Sequence, residues 1–271
     1  MQRFRTLFPK PRCSIVGMIH VGGLPGTPRF NGNCKKLIDA AVRDAEIYRD
    51  AGLDGILVEN MHDVPYVRGK DLGPETTAMM SRICSEVRKN VPASVVCGVQ
   101  VLAGGNTQAI AIAQAADFQF IRAEGFVFGH VADEGFTDAC AGELLRYRRK
   151  IGADDVLVFA DIKKKHSSHA ITADVSLSET AKAAEFFLAD GVILTGIATG
   201  KPADEVELDA LLNNVQGPVI IGSGVDKENL VKYVRAHAVI IGSHFKIDGK
   251  WENSVDPNVV NNFMSHLSLI H

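Results

Sequence analysis

The stretch Pro218-Val-Ile-Ile-Gly-Ser-Gly-Val225 and its near repeat Ala238-Val-Ile-Ile-Gly-Ser243 decide the fold of this chain. Each is a β-branched apolar run that ends at Gly-Ser, the pattern of a buried parallel strand followed by a tight turn. Glycine lets backbone N–H groups converge on a ligand because it has no Cβ, and the serine hydroxyl adds another donor. Two such turns on neighbouring strands suit a phosphate group. The predicted phosphate-binding residues are Gly222, Ser223, Gly224, Gly242 and Ser243.

The rest of the chain alternates short apolar runs with amphipathic stretches. The predicted strands cover residues 14–21, 55–60, 94–102, 118–124, 156–163, 191–196, 218–225 and 238–245. The predicted helices cover residues 35–51, 74–89, 106–116, 138–151, 178–189, 204–213, 227–235 and 256–267. Eight strands, each followed by a helix, predict an α/β fold of the (β/α)8 TIM-barrel type, similar to the ribulose-phosphate-binding barrels. A doubly wound sheet is the alternative, but the glycines after the first strand do not lead directly into a helix.

Composition limits the classes of protein to which the chain can belong. With 271 residues, 46% of them hydrophobic, it can bury the core of a single barrel domain over residues 1–271. A formal net charge of −3 argues against binding to nucleic acid, and no apolar run is long enough to span a membrane. The five cysteines are scattered without a Cys-x-x-Cys pair, which indicates a reducing compartment and no structural zinc.

The first twelve residues carry four basic side chains and no acid. A mitochondrial presequence is also basic and poor in acids, but this stretch is short and contains Pro9 and Pro11. The first predicted strand begins almost immediately after it. We therefore expect a cytoplasmic protein, with the mitochondrion as the alternative.

Polar side chains stand near the ends of six predicted strands. They are His20, Glu59, Asn60, Gln100, Arg122, Glu124, Asp161, Lys163 and Thr195. In an α/β barrel the chemistry lies at the carboxyl ends of the strands, where inward-facing residues reach the mouth. A buried charge is costly unless it is paired or meets water. This ring therefore predicts an active site, in which Asn60, Gln100, Arg122, Glu124 and Thr195 line the pocket.

Asp161 and Lys163 give the sharpest local signal, because a spacing of two residues in a strand puts both side chains on one face. Lys163 is predicted either as a Schiff-base nucleophile or as a cation that stabilises an enolate. His20 and Glu59 are the candidate acid and base. The plainer alternatives are a rim salt bridge for Asp161–Lys163 and an internal ion pair for Arg122–Glu124.

No cofactor is predicted. A divalent metal site assembled from His20, Glu59, Asp161 and His166 is the alternative, although these residues lack the close spacing of a strong metal motif. His166 also lies in a loop after the fifth strand, where it either covers a ligand or faces solvent.

The chain resembles the BtpA/SgcQ family over nearly its whole length. The resemblance is carried by Ile15-Val-Gly-Met-Ile-His-Val-Gly-Gly-Leu-Pro-Gly-Thr-Pro28, by Asp50-Ala-Gly-Leu-Asp-Gly-Ile-Leu-Val-Glu-Asn60, by Ala160-Asp-Ile-Lys-Lys-Lys-His166 and by the two Gly-Ser turns. It implies a phosphate-binding barrel. The cyanobacterial branch of the family is associated with photosystem I biogenesis, and the resemblance assigns no catalytic residues.

These observations predict an enzyme that acts on a small phosphorylated metabolite. Isomerisation and carbon–carbon lysis both fit, because each needs proton abstraction next to a carbonyl group and an anion stabiliser. Two alternatives stay open, a non-catalytic assembly factor and a metal-dependent hydrolase. A homo-oligomer is possible for such a barrel, but no residue identifies an interface.

Overall fold

The computed structural model describes residues 1–196 and 201–270. The strands in these residues are β1 (Ser14–His20), β2 (Gly55–Glu59), β3 (Val96–Gln100), β4 (Phe120–Ala123), β5 (His130–Ala132), β6 (Gly135–Thr137), β7 (Leu157–Asp161), β8 (Ser167–Ser168), β9 (Gly191–Leu194), β10 (Val219–Ile221) and β11 (Ala238–Ile241). The α-helices are α1 (Gln2–Leu7), α2 (Cys34–Asp50), α3 (Pro74–Asn90), α4 (Asn106–Ala115), α5 (Ala141–Lys150), α6 (Leu177–Phe186), α7 (Glu205–Asn214), α8 (Leu230–Tyr233) and α9 (Pro257–Ile270).

Eight of the strands close into a parallel barrel in the order β1, β2, β3, β4, β7, β9, β10, β11, with β11 paired back onto β1. The predicted (β/α)8 barrel is confirmed, and each barrel strand lies within one of the eight predicted runs. The helix predicted over residues 227–235 is shorter, because α8 is a single turn. Within the described residues, no helix combines the length and the apolar character needed to traverse a bilayer.

Two hydrophobic cores follow from the period-two alternation of the strands. Residues such as Ile15 and Ile19 point outward and pack under the helices. Their neighbours Val16 and Met18 point inward and meet Phe120 and other side chains from the opposite strands in a separate inner core. Side chains of this size fill the lower barrel, so any ligand must bind above them.

Helix α1 closes the lower end of the barrel. Phe4 and Phe8 are both 4% exposed, and the ring of Phe4 lies 6.0 Å from that of Phe159 inside the barrel. Phe8 packs near Phe120, with 6.5 Å between the ring centroids. The basic amino-terminal stretch, which the sequence left as a possible presequence, is therefore part of the folded core.

A small three-stranded antiparallel sheet of β6, β5 and β8 lies beyond the carboxyl ends of the barrel strands. The turn between β5 and β6 carries Asp133 and Glu134, and both line the cavity at the barrel mouth. This sheet thus forms one wall of the space in which a ligand would lie.

Candidate active site

On each barrel strand every second side chain faces inward, and the last inward-facing residue of each strand lies at the mouth. Val16 and Met18 lead to His20, Leu57 leads to Glu59, and Phe159 leads to Asp161. Strand register brings neighbouring members together, because Glu59 pairs with His20 on one side and with Gln100 on the other. The barrel interior therefore changes from apolar to polar over a single layer, and a cavity of about 530 Å³ opens above that layer.

Most of the predicted site residues line this one cavity. They are His20, Glu59, Gln100, Arg122, Glu124, Asp161, His166, Gly222, Ser223, Gly224, Gly242 and Ser243. Three predicted residues, Asn60, Lys163 and Thr195, do not line it.

Asn60 is fully buried and holds two loops together. Its Nδ2 donates to Asp63 Oδ2 at 2.9 Å, and its Oδ1 accepts from the backbone N–H of Leu102 at 2.7 Å. Thr195 continues the inward-facing series of Ile193, and a Cβ built on Gly222 would lie 3.1 Å from the Thr195 methyl carbon. Neither side chain is among the residues that line the cavity: Asn60 is held by the two loops, and Thr195 is buried beside the first Gly-Ser turn.

The predicted charge partners also differ from those in the structure. Asp161 does not pair with Lys163. Lys163 Nζ donates to the carbonyl of Thr172 at 3.2 Å and lines a separate small cavity. Strand β7 ends at Asp161, and Lys163 has a φ of +43°, so the period-two alternation stops before it. Arg122 and Glu124 likewise form no ion pair with each other, since Arg122 pairs with Asp161 and Glu124 pairs with Lys164.

Arg122 and Asp161 form a buried, forked ion pair. Arg122 Nε lies 3.0 Å from Asp161 Oδ1, and Arg122 Nη2 lies 3.0 Å from Asp161 Oδ2. Arg122 Nη1 also donates to the carbonyl of Gly222 at 3.3 Å. Burial lowers the pKa of Arg122, but Asp161 and Glu59 outweigh that effect and the net shift is upward. The pair therefore connects Asp161, at the end of β7, to the first Gly-Ser turn.

Glu124 is paired with Lys164 instead. Lys164 Nζ lies 3.0 Å from Glu124 Oε1 and 3.7 Å from Glu134 Oε1. Glu124 Oε2 accepts the backbone N–H of Gly104 at 2.9 Å. Burial raises the pKa of Glu124, but Lys164 and this hydrogen bond more than compensate, so its net pKa is lowered. Lys164 therefore ties the β5–β6 turn to the end of β4.

His20 and Glu59 face each other across the first two strands, with 3.8 Å between Nε2 and Oε2. The carbonyl of Trp251 lies 3.0 Å from His20 Nδ1. Because a carbonyl only accepts, the proton of the neutral ring is on Nδ1, and the Nε2 lone pair faces Glu59. Burial, reinforced by the charge of Lys246, lowers the pKa of His20 to about 3. His20 is thus a neutral acceptor.

Glu59 and Lys165 both line the cavity, and their surroundings move the pKa of each towards neutrality. Burial raises the pKa of Glu59 to about 7, against the opposing charges of Arg122 and Lys165. Burial and the charge of Arg122 lower the pKa of Lys165 to about 8, although Glu59 and other carboxylates oppose this shift. A carboxyl group and an amine with these pKa values can exchange protons with a bound molecule at physiological pH.

Several polar atoms at the mouth have no partner among the described residues. Gln100 is 2% exposed, and its Oε1 makes no hydrogen bond there. The backbone amides of Ser223 and Gly224 donate to no acceptor within residues 1–196 and 201–270, and both residues line the cavity. Because buried polar groups are normally satisfied, these atoms are suited to hydrogen-bond a ligand.

The residues offered as metal ligands are not gathered into one set. Across residues 1–196 and 201–270, no group of three or more His, Cys, Asp or Glu side chains is arranged to hold a metal ion. Asp161 is held by Arg122, and His20 directs Nδ1 to Trp251, so the two have other partners.

Sequence reasoning missed Lys165 and Trp251. Lys165 lines the cavity from the turn after β7, whereas Trp251 lies in the loop after β11 and packs against His62, with 4.9 Å between the ring centroids. The sequence does not show which of the three consecutive lysines faces the cavity, because β7 ends before them and their side chains no longer alternate between the two faces of a strand. The loop that carries Trp251 has no periodic pattern, so its route over the mouth was not visible in the sequence.

The comparisons with known proteins agree with one another. A profile of the BtpA family matches residues 12–268. "Uncharacterized protein F13E9.13, mitochondrial" of Caenorhabditis elegans is 44% identical over 267 residues, covering 97% of this chain and 96% of the relative. The "Photosystem I biogenesis protein BtpA" of Synechocystis is 34% identical over 269 residues, covering 98% and 90%.

Among solved structures, phosphoribosyl anthranilate isomerase from Thermus thermophilus superposes with a TM-score of 0.59 at 13% identity, covering 95% of this chain and 100% of that one. KGPDC from Streptococcus mutans in complex with D-R5P superposes with a TM-score of 0.58 at 12% identity, covering 95% and 99%. At such identities these likenesses bear on the fold alone.

Proposed function

The chain belongs to the BtpA family, and on that premise we propose that it is an enzyme acting on a small phosphorylated carbonyl compound. One observation carries the proposal: the two Gly-Ser turns and the ring of ionisable side chains line the same cavity of about 530 Å³. The barrel neighbours support a phosphorylated ligand, because one was solved with D-R5P and another is named for a phosphoribosyl substrate. The loops after the last two strands are also where such barrels usually hold phosphate.

The phosphate would be held by Ser223, Gly224 and Ser243. The backbone amides of Ser223 and Gly224, which have no partner among the described residues, supply donors to the phosphate oxygens, and the Ser243 hydroxyl adds another. Gly242 keeps the site open, since a Cβ there would already touch the His20 ring at 3.4 Å. A larger acidic side chain at this position would both fill the space and repel an anion.

The reaction would be an isomerisation or a carbon–carbon lysis. Glu59, with a pKa near 7, takes a proton from the carbon or hydroxyl next to the carbonyl group. His20 Nε2, a neutral acceptor 3.8 Å from Glu59 Oε2, favours the protonated form of that carboxyl group. Lys165 stabilises the negative charge that develops on the carbonyl oxygen, and Gln100 supplies an amide for a substrate hydroxyl.

The test is the thermal stabilisation of the purified protein by sugar phosphates and nucleotides, compared with their dephosphorylated counterparts. A ligand at about one hundred times its Kd stabilises the folded chain by about 2.7 kcal/mol, which raises Tm by several degrees. We expect a shift with phosphorylated compounds alone.

Gly242→Asp is expected to abolish that shift. Gly142→Asp is the matched control, because it adds the same charge on α5, on the outside of the barrel. A wild-type chain that no phosphorylated compound stabilises contradicts the proposed function, and so does an equal response to the dephosphorylated counterparts.

An assembly factor is the second candidate, favoured by the name of the Synechocystis relative and by one surface feature. Phe186, Phe187 and Leu188 are adjacent and are 81%, 47% and 69% exposed. If the chain is an assembly factor, the double variant Phe186→Ser, Leu188→Ser should bind its partner protein more weakly, whereas Glu59→Gln should bind it normally. If the chain is an enzyme, Glu59→Gln should lose turnover, whereas the double variant should keep it.

For the compartment we propose the cytoplasm, with the mitochondrion, which appears in the name of the nematode relative, as the alternative. A fluorescent protein fused at the carboxyl terminus distinguishes them, because the amino-terminal helix stays unaltered. Colocalisation with a mitochondrial dye would select the alternative.

A further inference from the structure

Three consecutive lysines follow β7, and the structure gives each a different environment. Lys163 donates to the carbonyl of Thr172 and lines a separate small cavity. Lys164 lies between Glu124 and Glu134 in an ion-paired cluster. Lys165 lines the mouth cavity, and within residues 1–196 and 201–270 its amine makes no hydrogen bond or ion pair. Of the three, Lys165 is therefore the lysine whose side-chain nitrogen is not held by another described residue.

Burial and the charge of Arg122 favour an unprotonated amine at Lys165, and the carboxylates nearby oppose them without reversing the shift. Glu59, Asp161, Glu124 and Arg122 all act on it electrostatically from the surrounding strands. Asp161 is occupied by Arg122, and Glu124 is occupied by Lys164, so neither is committed to Lys165. Because its pKa is lowered to about 8, a measurable fraction of the amine is unprotonated at neutral pH, and the unprotonated form is the nucleophile.

We propose that Lys165 forms an imine with the carbonyl carbon of the phosphorylated substrate. This inference rests on the proposed function, because the phosphate turns and Lys165 line the same cavity and would present the carbonyl group to the amine. It extends that function by naming the covalent step, and it selects carbon–carbon bond chemistry over simple isomerisation.

The step balances without an external oxidant or reductant. The lone pair of Lys165 Nζ attacks the carbonyl carbon and a carbon–nitrogen bond forms; the carbonyl oxygen takes a proton and the nitrogen gives one up, which leaves a neutral carbinolamine. A second proton then lets that oxygen leave as water, which produces the protonated imine. Glu59 lines the same cavity and can supply and recover these protons. When a neighbouring carbon–carbon bond breaks, its electron pair moves to the protonated imine and gives an enamine, while the hydroxyl group on the departing carbon loses its proton and becomes a carbonyl group.

The experiment uses pyridoxal 5′-phosphate, a probe that carries both an aldehyde and a phosphate. The full chain is incubated with the probe, reduced with borohydride and mapped by peptide mass spectrometry. We expect about one modification per chain, located at Lys165, and slowed severalfold by inorganic phosphate. Pyridoxal without the phosphate is the matched probe, and it should modify Lys165 at least about tenfold more slowly, a difference of about 1.4 kcal/mol in the barrier.

Two variants serve as internal controls. Lys165→Arg keeps a positive charge at the mouth but should lose the modification, whereas Lys163→Arg should be modified at Lys165 like the wild type. The peptide map of the wild-type chain tests the proposal by itself, even if neither variant folds. Labelling spread over exposed lysines such as Lys35, with none preferred at Lys165, would overturn the imine proposal.

The two proposals fail in different ways. If phosphorylated compounds stabilise the chain but Lys165 is not trapped, the imine proposal is wrong and the phosphate-binding function stands. If Lys165 is trapped equally by pyridoxal and by its phosphate, and no phosphorylated compound stabilises the chain, the proposed function is wrong and the reactive amine stands.

Discussion

The lower end and the mouth of the barrel differ in how completely their buried charged groups are paired. At the lower end, Asp54 accepts hydrogen bonds from Arg12, from Lys10 and from the backbone N–H of Ile15, at 2.6–2.8 Å. At the mouth, Arg122 and Lys164 are paired with carboxylates, but the amine of Lys165 has no hydrogen bond or ion pair within residues 1–196 and 201–270. A charge with several partners stabilises a fold, whereas a charge without one costs stability and is available for chemistry. The mouth therefore keeps one buried charge for reactivity, whereas the charge of Asp54 at the lower end serves stability.

The sharpest test of the stabilising end is Phe4→Ala. The side chain is 4% exposed and packs against Phe8 and Phe159, so its removal leaves a cavity. We expect the free energy of unfolding to fall by about 4 kcal/mol in urea titrations followed by circular dichroism. Phe186→Ala is the matched control, because Phe186 is 81% exposed and its loss should change stability by less than about 0.5 kcal/mol. Equal losses in both variants would show that α1 does not seal the barrel.

At the mouth, Glu59 should make stability depend on pH. Its pKa is raised from 4.5 to about 7 in the folded chain, so between those values the folded state holds a proton that the unfolded state has released. This contribution is complete below about pH 4.5 and is lost as the pH rises through about 7, with a total of at most about 3 kcal/mol.

The measurement is the free energy of unfolding of wild type and Glu59→Gln from about pH 5 to about pH 8. We expect the stability of the wild type relative to the variant to decline over that range. Glu86→Gln, changed on the outer surface of α3, controls for the loss of one carboxylate. Wild-type and Glu59→Gln curves that stay parallel would mean that Glu59 is not buried as described.

The smallest expected changes in stability come from replacing one lysine at each end of the barrel, Lys165 at the mouth and Lys10 at the lower end. Lys165→Met removes a charge that burial destabilises, so stability at neutral pH should rise by about 1 kcal/mol; the gain is limited because Glu59 and Asp161 lose a nearby cation. The pKa of Lys165 is lowered from 10.5 to about 8, so wild type regains the difference as the pH rises through that window.

Lys10→Met at the lower end should change stability in the opposite direction. Lys10 Nζ lies 2.6 Å from Asp54 Oδ1 on a half-exposed side chain, so its loss should cost about 0.5 kcal/mol. Thermal and urea unfolding of both variants test the contrast. Losses of the same sign at both ends would remove the distinction between the two regions.

The sequence was sufficient to predict the barrel, and particular residues show why. Runs such as Val219–Ile221 and Ala238–Ile241 are β-branched, fully apolar and followed by Gly-Ser, so strand and turn were both encoded locally. His20, Glu59 and Asp161 were predicted at the mouth because each continues the inward-facing series of its strand. Their catalytic roles stay predictions.

The rest depends on contacts that no local pattern encodes. Lys163 was preferred over Lys165 because the strand period was extended past Asp161, where the backbone has already turned. Helix α1 was missed because Phe4 contacts Phe159 and His237, which lie far along the chain. Residues placed by strand geometry were thus predictable, whereas those placed by loops or distant packing were not.

The packing of α1 against the lower end of the barrel also affects folding during synthesis of the chain. Phe4 and Phe8 emerge from the ribosome long before Phe120 and Phe159, and the ring of His237 lies 6.0 Å from that of Phe4. Their binding site is therefore complete only after His237 has been synthesised. Until then the two aromatic side chains are exposed to solvent, which makes the nascent chain a natural client for chaperones that bind exposed apolar segments.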